Sequence, residues 1–136
     1  GDAKRASHER FYDDYNAVLD MDAPYYLETV RLVFQEFALA RGTWDVAGER
    51  VRPAAIRDTA LLTIEGADDD IAGLGQTQAA HALCAGVPDE HRRHHVAAGC
   101  GHYGVFSGRR WRESIYPIVR DFVGARSGRD HAQERV

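Results

Sequence analysis

The chain has 136 residues, with 17 Lys and Arg against 21 Asp and Glu, for a formal net charge of −4. Apolar types make up 44% and charged types 28%, which fits one modest globular core and excludes collagen, a sustained coiled coil and full-length disorder. The acidic balance argues against nucleic-acid binding, which needs a positive surface, and no apolar run approaches the ~18 residues of a transmembrane segment. Two cysteines, Cys84 and Cys100, imply no disulfide framework; with no signal peptide visible, they point to a reducing compartment. The chain starts Gly1-Asp2-Ala3 and its one methionine is Met21, so it is expected to be a processed chain or part of a longer protein.

Residues 1–10 are expected to form a frayed N-terminus, from which a helix runs over residues 8–19 on Phe11, Tyr15, Val18 and Leu19. Asp22 is a good N-cap, and Pro24 sits where a first turn tolerates it. The helix they open carries Tyr26, Val30, Val33, Phe34 and Phe37 on one face and stops near Gly42. Two short β-prone runs around Ala47-Gly48 predict a hairpin. Residues 59–65 form a near-continuous apolar run, as suits a parallel strand buried on both faces. An acidic, glycine-rich loop (66–75), a helix (76–85), a second strand (93–97) and a glycine loop (99–104) follow. The last helix carries Trp111, Ile115, Ile118, Val119 and Phe122 as a stripe, and Pro117 inside it should kink it. From Gly124 onward the chain is polar and expected to be disordered.

The order from residue 59 is strand, acidic loop, helix, strand, Gly-His loop, helix. This is an α/β pattern, half of a parallel sheet, in which function sits at the carboxyl ends of the strands. Asp69 and His102 fall at two such ends, 33 residues apart. A carboxylate after a buried strand can hold an imidazole in one tautomer and stabilise its protonated form. Alone, Asp68-Asp69-Asp70 reads as a solvated acidic turn and His102 as a surface histidine in a turn. Together they match the acid-then-histidine order of hydrolase triads.

A nucleophile does not complete the set. No Gly-x-Ser-x-Gly occurs, none of Ser7, Ser107, Ser114 and Ser127 falls at a strand-to-helix elbow, and Ala98 breaks the pattern around Cys100. Cys84 reads as a small hydrophobe on a helix. His91 and His94 are spaced as ligands would be on a helix, and His102 could join them. Two arginines between them repel a cation and no cysteine pair closes the site, so no metal is expected. Arg109-Arg110-Trp111-Arg112 reads as a solvated helix face in preference to an anion site.

Residues 11–123 resemble the C-terminal region of intracellular poly(3-hydroxyalkanoate) depolymerases. The resemblance rests on Tyr12-Asp13-Asp14-Tyr15, on Thr29-Val30-Arg31-Leu32-Val33-Phe34-Gln35-Glu36, and on Ile64-Glu65-Gly66-Ala67-Asp68-Asp69-Asp70-Ile71. It continues with Gly73-Leu74-Gly75-Gln76-Thr77-Gln78-Ala79-Ala80-His81, Gly101-His102-Tyr103-Gly104-Val105-Phe106 and Gly108-Arg109-Arg110-Trp111-Arg112. The pairing of Gly-His-Tyr-Gly with Gly-Arg-Arg-Trp-Arg is far more specific than a generic hydrolase ending.

The resemblance implies the C-terminal part of an α/β-hydrolase that cuts ester bonds of storage polyester, with Asp69 as triad acid and His102 as general base. It implies a helical cap over residues 11–58, the end of the hydrolase domain over 59–123, and a tail over 124–136. Tyr25 and Tyr26 would contact polymer, whereas Phe34 and Phe37, on the helix stripe, read as core. The nucleophile, Cys or Ser, would lie in a missing N-terminal half, the fragment alone would be inactive, and no cofactor would be needed. The partners would be that half and a polyester granule, in the cytoplasm or at the granule surface. Two other readings stay open: a non-catalytic granule-binding or interaction module, and a different α/β-hydrolase esterase.

Overall fold

The computed structural model describes residues 2–17 and 19–126. The chain divides into two compact units, Gly1–Val51 and Arg52–Val136. The segment after Val51 packs within the second unit: Pro53–Ala55 form a 3-10 turn, and a Cβ at Gly86 would collide with the Ala54 and Ile56 carbonyl oxygens.

In the first unit, α1 spans Asp2–Asn16 in place of the expected frayed segment and helix over 8–19. Residues 2–10 are rich in Ala, Lys, Arg and Glu, all strong helix formers. Arg5 Nε also donates to Glu9 Oε1 at 3.0 Å, one turn on. Of the residues expected in that helix, Val18 lies outside the described ones. The second helix, α2 (Ala23–Thr29), starts as expected: Asp22 accepts the Tyr25 amide at 3.4 Å and Pro24 sits in the first turn.

Its continuation departs from the sequence reading. Val30–Gln35 wind as a π-helix, and the run ends at Glu36 instead of near Gly42. Phe37 then takes a φ of 51°, left-handed and strained for a bulky residue. The wider π turns break the i, i+3, i+4 stripe. Phe34 and Phe37, expected as core, are 68% and 50% exposed. Ala38 is the one buried residue among those described in this unit. Strands β1 (Asp45–Val46) and β2 (Glu49–Arg50) pair antiparallel through Ala47 and Gly48, both at positive φ, as a tight hairpin turn requires.

The second unit is a mixed helix and strand arrangement around a small parallel sheet, compatible with the α/β class. Strands β3 (Leu61–Gly66) and β4 (Arg92–Ala97) pair in parallel, from Leu61 opposite Arg92 to Gly66 opposite Ala97. Between them runs the short helix α3 (Ala80–Leu83), entered through turns where a helix over 76–85 was expected. The last helical run comprises α4 (Gly108–Arg110), a π turn over Trp111–Ile115, and α5 (Tyr116–Gly124). Pro117 explains the π turn. It has no amide to donate and its ring would strike an α-helical carbonyl, and the wider turn, closed by the Tyr116 amide on Trp111, accommodates both faults. Beyond α5, residues 125–126 form a turn, and the rest of the expected tail lies outside the described residues.

Because successive strand side chains point to opposite faces, the sheet has two environments. On one face Ile64 packs with Ala97, Cys100, Val105 and Ile115, closed over by Trp111 and Val119. On the other, Thr63 and Glu65 are buried polar groups. Ile115 is fully buried, so Ile115→Ala should cost about 2–5 kcal/mol in urea or thermal unfolding. Phe34→Ala, at an exposed position, should stay within about 0.5 kcal/mol of wild type.

Candidate active site

Pairing between the strands continues past their ends. The Ala67 amide donates to the Ala97 carbonyl at 3.0 Å, and the Asp68 amide donates to the Cys100 carbonyl at 3.0 Å. The loops after β3 and β4 therefore leave the sheet side by side. Gly66 permits this approach, since a Cβ there would overlap the Cys100 carbonyl oxygen. Gly104 permits a second, since a Cβ there would lie 2.6 Å from Cys100 Sγ. His102 sits between these points at the start of a 3-10 turn, His102–Val105.

This brings Asp69 and His102 together. His102 Nδ1 lies 3.0 Å from Asp69 Oδ2 and 3.2 Å from Oδ1. The Asp69 side chain is 5% exposed and that of His102 is 31% exposed, while Asp68 and Asp70 face solvent. Of the three acidic residues, Asp69 is thus the buried one. Asp69 Oδ1 also accepts the amides of Ile71 at 2.9 Å and Ala72 at 2.8 Å, an Asx-type turn that orients the carboxylate. Burial pushes the Asp69 carboxyl up, but the Ala72 and Ile71 amides and the His102 ring outweigh it and hold it below its ordinary value.

An ionised carboxylate at Nδ1 makes that nitrogen the proton carrier of the neutral ring. Nε2 is then the basic nitrogen, and among the described residues it has no hydrogen-bond partner. Tyr103 and Phe106 stand edge-on to the imidazole, with centroids at 5.5 and 6.2 Å. A partly exposed, oriented imidazole with a free basic nitrogen can take a proton from a nucleophile and return it to a leaving group.

Other residues singled out in the sequence have structural partners. Cys100 is buried in the core and Cys84 is half-buried. Arg110 Nη1 donates to the Ala98 carbonyl at 3.0 Å, with its guanidinium against Gly99. His94 turns Nδ1 to Thr63 Oγ1 at 2.9 Å, and His81 Nε2 reaches the same oxygen at 2.8 Å. Burial, with the charges of His94 and Arg92, lowers the His81 pKa. Among the described residues no cluster of His, Cys, Asp or Glu is placed to hold a metal, and no helix is long and apolar enough to cross a membrane.

The sequence reading missed Glu65. It ends the apolar strand, its side chain is 2% exposed, and it accepts from the Gly75, Thr77 and Gln78 amides at 2.7–2.9 Å and from Thr77 Oγ1 at 3.0 Å. The Gly75 and Gln78 amides, against the opposing effect of burial and aided by Thr77, hold its pKa at about 2. The sequence signal was available: a carboxylate on a strand buried on both faces must be paired.

Glu65 and Asp69 both have lowered folded pKa values. Their contribution to stability is therefore full above the ordinary carboxylate range and is lost as pH falls through the folded values. Urea unfolding should show stability falling between pH 4.5, the ordinary value for Glu65, and about 2. Glu65→Gln should flatten that decline while lowering stability at pH 7.

The family model described as PHB de-polymerase C-terminus matches residues 1–127. A search of curated proteins found no match, and neither did a search of solved structures. The matched span takes in the whole first unit and most of the second, with the paired strands and the Asp69–His102 pair, and it supports a role in polyhydroxyalkanoate depolymerase. The chain belongs to the PHB depolymerase C-terminus family.

Proposed function

We propose that this chain supplies the acid and the base of a catalytic triad that hydrolyses ester bonds of a storage polyester, within an α/β-hydrolase whose nucleophile lies outside these residues. The observation that carries the reading is the Asp69–His102 pair: a buried carboxylate on Nδ1 and an Nε2 with no hydrogen-bond partner among the described residues. The family match supplies the substrate class. The absence of a Gly-x-Ser-x-Gly or Gly-x-Cys-x-Gly elbow, with Cys100 buried, favours a nucleophile from elsewhere.

In this mechanism His102 Nε2 takes the proton of a Cys thiol or Ser hydroxyl as the sulfur or oxygen bonds to the ester carbonyl carbon. The tetrahedral intermediate collapses, the carbon–oxygen bond of the ester breaks, and the departing alkoxide takes the proton back from Nε2. A water then gives its proton to Nε2 and attacks the acyl group, the bond from the acyl carbon to the nucleophile breaks, and the departing thiolate or alkoxide takes the proton from Nε2, releasing the acid and restoring both residues. Asp69 holds the ring in the Nδ1–H tautomer and stabilises the imidazolium formed twice in the cycle. No step requires a cofactor. Tyr25 and Tyr26, 62% and 56% exposed, together with exposed Phe34 and Phe37, offer apolar contact to a polymer, which supports action at a granule surface.

The test uses a longer polypeptide that carries this chain together with an upstream nucleophile elbow, assayed on amorphous poly(3-hydroxybutyrate). His102→Ala and Asp69→Asn should each lower the hydrolysis rate by about 10²–10⁴-fold, the scale of a positioned acid–base group, with folding retained by circular dichroism. Near-normal hydrolysis by either variant would sink the reading. The 136-residue chain alone should release no product above the buffer rate; turnover by it would place the nucleophile within these residues.

A further inference from the structure

The loop that carries the acid is long and weakly packed. Between Gly66 and Ala80 the described chain has no strand and no helix, only turns and bends. Its two large apolar side chains, Ile71 and Leu74, are each 59% exposed, so burial of apolar surface does not anchor it. The Ala67 and Asp68 amides tie its first two residues to the Ala97 and Cys100 carbonyls; beyond them its side-chain anchors are two carboxylates. Asp69 binds the Ile71 and Ala72 amides, which belong to the same loop and cannot fix that loop to the sheet. Glu65 belongs to β3, and it takes the far side of the loop at Gly75, Thr77 and Gln78. Only Gly73 and Leu74 separate the last amide held by Asp69 from the first held by Glu65.

We propose that Glu65 is a positioning residue: its buried carboxylate ties the loop to the end of β3 and thereby holds Asp69 against His102 Nδ1. The inference rests on the reading of Asp69 and His102 as acid and base. The chemistry of the anchor is specific to a carboxylate. An ionised carboxyl offers about four lone-pair sites, and Glu65 faces four donors: three amides and the Thr77 hydroxyl. His94 Nε2 lies 3.7 Å from Oε2, beyond hydrogen-bond length, so the loop itself satisfies the charge. A glutamine would turn an NH₂ toward N–H donors and leave at least one of them unpaired in a buried place. The loop would release, the Ile71 and Ala72 amides would no longer hold Asp69 Oδ1, and His102 would lose its fixed tautomer.

The experiment is nitrogen-15 NMR of histidine-labelled 136-residue chain, reading the His102 ring nitrogens and its Nδ1–H proton in wild type and three variants. The variants are Glu65→Gln, Thr77→Val and Ile115→Val. Wild type should show a protected Nδ1–H. Glu65→Gln should lose that proton signal and show ring shifts averaged between the two tautomers. Thr77→Val, which removes only the hydroxyl donor, should give an intermediate loss. Ile115→Val trims a buried core side chain away from the loop and should leave the His102 spectrum unchanged, separating positioning from general loss of stability.

The proposal is overturned if Glu65→Gln is folded and keeps the wild-type Nδ1–H, or if Ile115→Val erases it equally. Should Glu65→Gln fail to fold, Thr77→Val decides: an intermediate loss supports the anchor and an unchanged spectrum overturns it. The two readings fail separately. Ester hydrolysis that survives His102→Ala removes the catalytic assignment without restoring the Nδ1–H signal in Glu65→Gln, and an unaffected signal removes the anchor while Asp69→Asn still abolishes hydrolysis.

Discussion

Everything at the candidate site depends on the parallel register of two six-residue strands. Opposing Leu61 to Arg92 sets Gly66 opposite Ala97, so both strands end at the same level and both loops leave on the same side. The backbone then pairs for two further steps, through Ala67 and Asp68. A shift of one residue would exchange the faces of a strand, moving Ile64 out of the apolar cluster and Glu65 into it. The cost of burying an unpaired carboxylate among Val105 and Ile115 makes that register untenable.

The two faces then divide the labour. The apolar face supplies cohesion through Ala97, Cys100, Val105 and Ile115. The polar face organises chain that has no regular structure of its own: Arg92 donates to the Val87, His81 and Ala85 carbonyls, and Glu65 gathers the loop amides. This split explains how a short sheet supports long loops. Backbone donors and acceptors that a longer strand or helix would satisfy are taken instead by charged side chains rooted in the two strands.

Part of this was legible from the residues. The apolar run over residues 59–65 announces a buried strand, and the glycines around residue 102 announce a close approach. Asp22 and Pro24 mark a helix start, and Ala47-Gly48 a hairpin, by chemistry local to each position. What escaped was non-local or off-period. The donors to Glu65 lie 10 to 13 residues downstream, in a loop with no periodicity to read. The π turns at Val30–Gln35 and Trp111–Ile115 obey a spacing that an α-helical stripe does not anticipate, which is why that stripe wrongly assigns Phe34 and Phe37 to the core. Apolar periodicity misses the first turns of the N-terminal helix because residues 2–10 lack an apolar face, although their propensity for helix is high.

The hydroxyl of Thr63 stands between two imidazoles, with His81 Nε2 on one side and His94 Nδ1 on the other. A hydroxyl carries one proton, so it can serve as donor to one ring only, and the ring on its other side must bring its own hydrogen. The protonation patterns of these two histidines are therefore correlated across the strands. Of the two nitrogens facing Thr63, no more than one is bare at any moment. The choice made on α3 restricts the choice made on β4, and a spectroscopic label on either ring reports on its neighbour.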